Sequence, residues 1–368
     1  MRANIWAVAL LIGVAACGDA ATNPGTDGDG SGGTGVTGDR GQAGVASTIN
    51  PSTALANSTA RSCPKRCAYV LTAIEATHPM GSEAIHVSED AGIGFTDGRA
   101  ATLGWWTAAR GVKQYSIPTG YSGGVAMGGN GWGQMVGYTW APTAVAWEPS
   151  GAAIVLSDRP YGQPLPGEAR AINDNSVIVG MSGDRAYRTQ YKEGFRWLAG
   201  VGSAANDVNF KGQVVGSSTV GTDRRATLWA QDGTATNLGT LAGFPRSEAV
   251  AISETGIVVG VSSGKAGSFD QGWIWTTSGG LKALPNAFIP TDVNHWGEVS
   301  GTVVEDCAVY YEGYGLHLMA KTDGATCVAT SINSWGDVVG YELIPVTRNV
   351  KRKPYLWTWA GNERRYGF

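Results

Sequence analysis

One short phrase is written seven times between residues 83 and 340, and it constrains the fold more tightly than any single residue does. The clearest copies are AVAISETGIVVG (Ala249 to Gly260), TSINSWGDVVG (Thr330 to Gly340), ANDVNFKGQVVG (Ala205 to Gly216) and RAINDNSVIVG (Arg170 to Gly180). Fainter copies read GGNGWGQMVG (Gly128 to Gly137), TDVNHWGEVSG (Thr291 to Gly301) and HVSEDAGIGF (His86 to Phe95). Measured from Ser88, Asn130, Asn173, Asn209, Ser253, Asn294 and Asn333, the intervals are 42, 43, 36, 44, 41 and 39 residues. A period near 40 means an array of supersecondary units, each burying its apolar face against its neighbours.

Within one unit, two short β-branched runs flank a four-residue turn such as Ser253 to Gly256. Asn, Asp or Ser at the first position and Gly at the fourth suit a type I turn closed by a left-handed Gly, the geometry of a bulged hairpin. Ser176 and Ala91 occupy the Gly position in two copies, which predicts about 1 kcal/mol of strain or a different turn. The second run, Ile257 to Val259, is continuously apolar, as a strand covered on both faces should be. It ends on Gly in six copies (Gly137, Gly180, Gly216, Gly260, Gly301, Gly340), which predicts close approach of another backbone.

A third strand is expected to close on an aromatic at Trp147, Trp197, Trp229, Trp275 and Trp357, with Trp105 and Trp106 in the first copy and Leu318 in the sixth. A fourth apolar run follows, as at Ile154 to Leu156, Leu238 to Leu241 and Leu281 to Leu284. Four strands per 40 residues, repeated seven times, is the arithmetic of an all-β propeller with seven four-stranded blades. The segment Tyr69 to Ile74 is a candidate for closing the ring against the last blade, and the tryptophans are expected between blades.

The pattern Ile-Asn-x-x-Gly-x-Val-Val-Gly, followed by Ala-x-x-Trp and Gly-x-x-x-Leu, resembles the bacterial extracellular HAF repeats over Glu83 to Phe368. The name-giving His-Ala-Phe is replaced by Arg225-Ala226-Thr227, Glu193-Gly194-Phe195 and Lys353-Pro354-Tyr355. The resemblance implies an exported propeller-like protein and carries no catalytic residues.

Ahead of the repeats, Arg2, an apolar run from Ile5 to Ala16 and then Cys17 read as a secretory signal peptide over residues 1–16, shorter than the roughly 20 residues of a spanning helix. Val14-Ala15-Ala16-Cys17 looks like a lipobox, so Cys17 is the expected lipid-bearing residue, and the membrane is a partner through that anchor. Residues 17–60 contain almost no large apolar side chain and are expected to be a disordered tether about 35 to 40 Å in root-mean-square span. Residues 61–368 are then one domain. Of the other cysteines, the local pairs Cys63 with Cys67 and Cys307 with Cys327 are the favoured disulfides among three possible pairings, as suits an exported chain.

A net charge of -3 and 15% charged residues argue against a nucleic-acid partner. The basic run Arg348, Lys351, Arg352 and Lys353 reads as a solvated loop. Gly120-Tyr121-Ser122-Gly123-Gly124 matches a nucleophile elbow in letters, but the Gly-rich GGVAMGGNGWG that follows cannot be the required helix. His78, His86, His295 and His317 lack metal-ligand spacing and read as loop or surface residues. Gly264-Lys265 is not a phosphate loop, and no cofactor is expected.

A carboxylate recurs between the second and third strands, at Asp97, Asp184, Asp223, Asp270 and at Glu305 with Asp306. Gathered on one face, such groups could bind calcium or provide an acid and a base for glycoside cleavage. The plainer reading is that Asp bonds its own backbone in turns. The expectation is therefore a monomeric, lipid-anchored binding or scaffolding module of the cell envelope, facing a glycan or protein partner. A carbohydrate-active hydrolase or lyase and a purely structural adhesion spacer are the alternatives.

Overall fold

The computed structural model describes residues 69–73, 82–97, 102–158, 162–190, 193–265, 270–285, 287–346 and 349–359. The signal peptide, Cys17, the tether, Cys63, Cys67, His78 and Arg348 lie outside them. The described residues form seven four-stranded antiparallel sheets and no helix. Six blades are consecutive in sequence: β2 (Glu83–Val87) to β5 (Gly111–Gln114), β6 (Gly124–Gly129) to β9 (Ala153–Val155), β10 (Glu168–Ile172) to β13 (Glu193–Trp197), β14 (Ala204–Val208) to β17 (Ala235–Gly239), β18 (Arg246–Ile252) to β21 (Gly280–Ala283) and β22 (Phe288–Val293) to β25 (Gly315–Leu318). The seventh runs β26 (Thr326–Ile332), β27 (Val338–Val346), β28 (Asn349–Trp359) and then β1 (Tyr69–Ala73). Strand β1 (Tyr69–Ala73) pairs with β28 (Asn349–Trp359), Tyr69 opposite Trp359 and Ala73 opposite Tyr355, so this strand closes the ring as expected.

Each blade opens with the anticipated hairpin. The amide of Gly256 donates to the Ser253 carbonyl and that of Ser253 to the Ile257 carbonyl. Gly133, Gly212, Gly256, Gly297 and Gly336 take φ between 73° and 89°. Ala91 (φ 61°) and Ser176 (φ 57°) are driven into the same left-handed region, where a side chain meets its own backbone, so these two turns keep the geometry and bear the strain. The Gly ending the second strand is needed for space. A Cβ on Gly216 would lie 2.0 Å from the Ala204 carbonyl oxygen, and one on Gly137 would lie 1.9 Å from that of Val125.

Seven apolar cores hold the ring, one at each blade interface. Between the third and fourth blades, for example, Val179 and Ala186 pack with Val208, Val214 and Trp229. Three indoles also tie blades together: Trp147, Trp229 and Trp357 donate Nε1–H to the carbonyls of Ser116, Ala199 and Ala320 on the preceding blade, at 2.7 to 2.8 Å. Burying such a ring removes some 150 to 250 Å² from water while the N–H keeps a partner.

Two expected aromatic positions shift. Trp197 ends the outermost strand β13 (Glu193–Trp197), and its expected third-strand place, opposite Val177, belongs to Gln190. In the sixth blade that place is held by Tyr310 opposite Val299, while Leu318 ends the outer strand β25 (Gly315–Leu318). In both blades the outer strand carries an apolar ending that resembles the third strand's. The basic run is not a loop either, because Lys351, Arg352 and Lys353 lie on β28, in a hairpin with β27 (Val338–Val346) that is longer than in any other blade. Arg352 pairs with Glu83 at 2.6 Å.

Cys307 on β24 (Asp306–Tyr311) and Cys327 on β26 form a disulfide joining the sixth blade to the seventh.

Candidate functional site

The innermost strands β2, β6, β10, β14, β18, β22 and β26 surround the axis, and all of them run toward one face. There the seven turns ring the mouth of a cavity of about 630 Å³. Every inner strand slips register once, between residues such as Ala169 and Ala171 or Ala205 and Asp207. The skipped residues are Ile85, Met127, Arg170, Asn206, Val250, Thr291 and Thr330, and all of them line the cavity. A bulge re-aims a side chain. Here it produces a chemically mixed ring, always three residues before the turn's Asn or Ser.

The next ring position holds His86, Gly128, Ala171, Asp207, Ala251, Asp292 and Ser331. Asp207 accepts the amides of Val208 and, across the interface, Ile252, both at 2.8 Å. Asp292 likewise accepts Val293 at 2.7 Å and Ile332 of the next blade at 2.9 Å. Both carboxyls keep some surface on the cavity but are hemmed in by protein. Burial, and then the repulsion of Asp292, raises Asp207 to about 7, and burial raises Asp292 to about 6. His86 is held at about 4 by burial, and its Nε2 is enclosed without a hydrogen-bond partner. It is a wall residue of β2 rather than the loop or surface residue its spacing suggested. Arg170 donates to Glu168 at 3.1 Å and to Asn206 at 2.6 Å, and Asn206 donates on to Glu248 and Ala249 of the fifth blade at 2.8 Å.

The turn asparagines form a further bridge. Asn173 Oδ1 accepts the amides of Asn175 and Val177, while its Nδ2 donates to the Asn209 carbonyl of the next blade at 2.7 Å. Asn130, Asn209, Asn294 and Asn333 reach Asn173, Ser253, Asn333 and Ser88 in the same way. The serines keep only half of this function: Ser88 and Ser253 accept the amides of Gly92 and Ile257.

On the rim, exposed aromatics sit on four turns: Trp132 (69% exposed), Phe210 (56%), Trp296 (66%) and Trp335 (45%). The indole N–H of Trp132 donates to the Asp174 carbonyl and that of Trp296 to the Ser334 carbonyl, both at 2.9 Å, which fixes the rings in place. The other three turns present Glu89, Asp174 and Glu254. Each accepts an amide of the preceding turn, from Ser334, Gly131 and Phe210 respectively, at 2.7 to 2.8 Å.

The carboxylates read from the sequence sit elsewhere. Asp184 and Asp270 lie between second and third strands, Asp97 ends a second strand and Asp223 and Asp306 begin third strands, all on the face opposite the turns, and none of them lines the cavity. Asp97 is buried, Asp184 and Asp270 are exposed, Asp223 pairs with Arg225 at 3.5 Å and Asp306 with Lys321 at 2.6 Å. Each belongs to a different sheet, and among the described residues no group of three or more His, Cys, Asp or Glu could hold a metal ion. Sequence reasoning missed Asp207 and Asp292. Their signal was an acid two places before the turn Asn in just two copies of the phrase, where the others carry a small residue or His86.

No protein-family model matches the chain, and no curated protein matches it in sequence. Solved structures do match it in shape. A streptogramin B lyase is 15% identical with a TM-score of 0.55, covering 79% of this chain and 98% of its own. Virginiamycin B lyase from Staphylococcus aureus is 13% identical with a TM-score of 0.56, covering 79% and 99%. YCF48 bound to D1 peptide is 13% identical with a TM-score of 0.52, covering 82% and 96%. At such identities the likeness is one of fold, and the fold is a seven-bladed β-propeller.

Proposed function

We propose that this chain is an exported, lipid-anchored β-propeller that works as a non-catalytic binding or scaffolding module in the cell envelope. Its binding surface is the turn face around the cavity. The observation that carries this reading is the rim of exposed aromatics, Trp132, Phe210, Trp296 and Trp335, the first and third of them fixed by indole hydrogen bonds, standing on turns braced from blade to blade. Exposed aromatics that are held rigid offer contact area at little entropic cost, which is what a binding surface needs. The polar groups beneath them support the same reading, because Asp207, Asp292 and the turn asparagines are engaged in joining blades. Export and anchoring rest on the lipobox-like run before Cys17 and on the resemblance to HAF repeats.

The test is to offer the full-length chain to glycan and peptide arrays, following both retention and release of reducing sugar. Retention that is lost in Trp132→Ala and Trp296→Ala supports the module, and retention indifferent to both removes the turn face from it. For the anchor, Cys17→Ser should move the chain from the membrane fraction to the soluble one. An unchanged distribution defeats lipidation.

A carbohydrate-active enzyme is the second reading, favoured by Asp207 and Asp292, two acids poised near neutrality in one cavity. Fold alone does not choose, since similar propellers include a lyase and a peptide complex by name. Sugar release that is abolished by Asp207→Asn would put the enzyme first.

A further inference from the structure

Going round the mouth from the first blade, the turns present Glu89, Trp132, Asp174, Phe210, Glu254, Trp296 and Trp335, so that acids and aromatics alternate over the first six positions. The alternation is held by geometry. Each acid is fixed by an amide of the turn before it, and Trp132 and Trp296 by a carbonyl of the turn after. Asp90 adds a further exposed carboxylate, against which the described rim sets the single ammonium of Lys211. The one guanidinium lining the cavity among the described residues, Arg170, is paired with Glu168 at 3.1 Å, while Arg188 and Arg196 donate to the Gln231 carbonyl. Indole faces attract cations through their quadrupole, and carboxylates attract them directly. A rim built of both is complementary to positive charge.

Below the rim the cavity has room for a long side chain, being within the size of ordinary ligand pockets. A charge entering it meets the partly exposed carboxyls of Asp207 and Asp292. We propose that the mouth binds a positively charged peptide segment, one Lys or Arg side chain entering the cavity while its neighbours lie across the Trp and carboxylate rim. The proposal rests on the binding-module reading and names that module's ligand class.

The experiment titrates the full-length chain with fluorescent oligolysine, oligoglutamate and a neutral cello-oligosaccharide. Oligolysine should bind and oligoglutamate should not. Trp132→Ala and Trp296→Ala should each weaken oligolysine about three- to tenfold, the range of one cation–π contact. Both side chains are mostly exposed, so these variants should melt with the wild type. Asp174→Asn keeps an acceptor for the Gly131 amide while removing the charge, and should weaken binding by a similar factor. Oligolysine binding indifferent to all three changes would be generic charge attraction and would overturn the proposal. Cello-oligosaccharide bound in preference, and lost in the Trp variants, would overturn the ligand class while leaving the binding module standing. If no probe binds, the proposal falls, and the arrays decide separately whether the module reading falls with it.

Discussion

The interface between the third and fourth blades and that between the first and second use the same fold with different turn chemistry. At the former, Asn173 closes its own turn with Oδ1 and reaches the Asn209 carbonyl with Nδ2. At the latter, Ser88 closes its turn through the Gly92 amide, and its hydroxyl makes no bridge to Asn130. Between the fifth and sixth blades Ser253 does the same, and Thr255 supplies a substitute by donating to the His295 carbonyl at 3.2 Å. The phrase's first turn residue thus has two separable tasks. Closing the hairpin needs any acceptor, whereas joining the next blade from that first position takes the longer amide side chain.

The largest effect should come from removing both tasks at once. Asn173→Ala takes away three hydrogen bonds and leaves the buried Val177 amide without its acceptor, so it should cost about 3 kcal/mol in urea denaturation, against about 1 kcal/mol for Ser253→Ala. Equal losses would break the comparison. The sixth interface is held covalently as well, and replacing Cys307 and Cys327 by Ser should cost about 2 to 4 kcal/mol. A loss well below that would mean the noncovalent bridge of Asn294 to Asn333 suffices there.

Ser88→Asn should do the reverse and add about 1 kcal/mol by building the missing bridge. No gain would show that the first interface is too wide for an amide to span.

The smallest effect concerns pH. Asp207 and Asp292 are raised in the folded chain, so their contribution is full below about 4 and is lost as pH climbs through about 6 to 7. His86 is depressed and acts oppositely, its contribution being present above about 6.5 and lost as pH falls through about 4. Asp292→Asn removes one acid and lowers the other, so its melting temperature should fall less than the wild type's between pH 4 and 7. Parallel profiles would show that Asp292 is not raised in the folded chain.

The propeller was legible because its determinants are local and repeated: a turn needing a left-handed Gly, a strand needing no Cβ, and an aromatic to fill each interface. Where an aromatic stands on the fourth strand instead of the third, as Trp197 does while Gln190 holds the third-strand place, local pattern could not tell the two strands apart. The site was less legible. The recurrent carboxylates drew attention because they repeat, yet they sit at the hairpins between second and third strands on the far face, three of them at strand ends. The cavity wall is made by positions that vary within the constant phrase, Ile85, Met127, Arg170, Asn206, Val250, Thr291 and Thr330, and a variable column reads as noise until the bulge shows where it points. The rim tryptophans stood in plain view within the turns of the phrase, as Trp132 does where Trp147 closes a strand, but a turn position does not by itself say that the indole stays exposed.

The ring is closed by a single five-residue ladder between β1 and β28. Any pull on the chain from the N-terminal side of Tyr69 is delivered to that ladder before it reaches another blade. Drawn along the strand, the five pairs share the load, whereas drawn across it they separate in succession. The disulfide lies outside this path, between β24 and β26, so it would keep the last two blades together while the clasp opened. The closing strand is therefore the mechanical fuse of the disc.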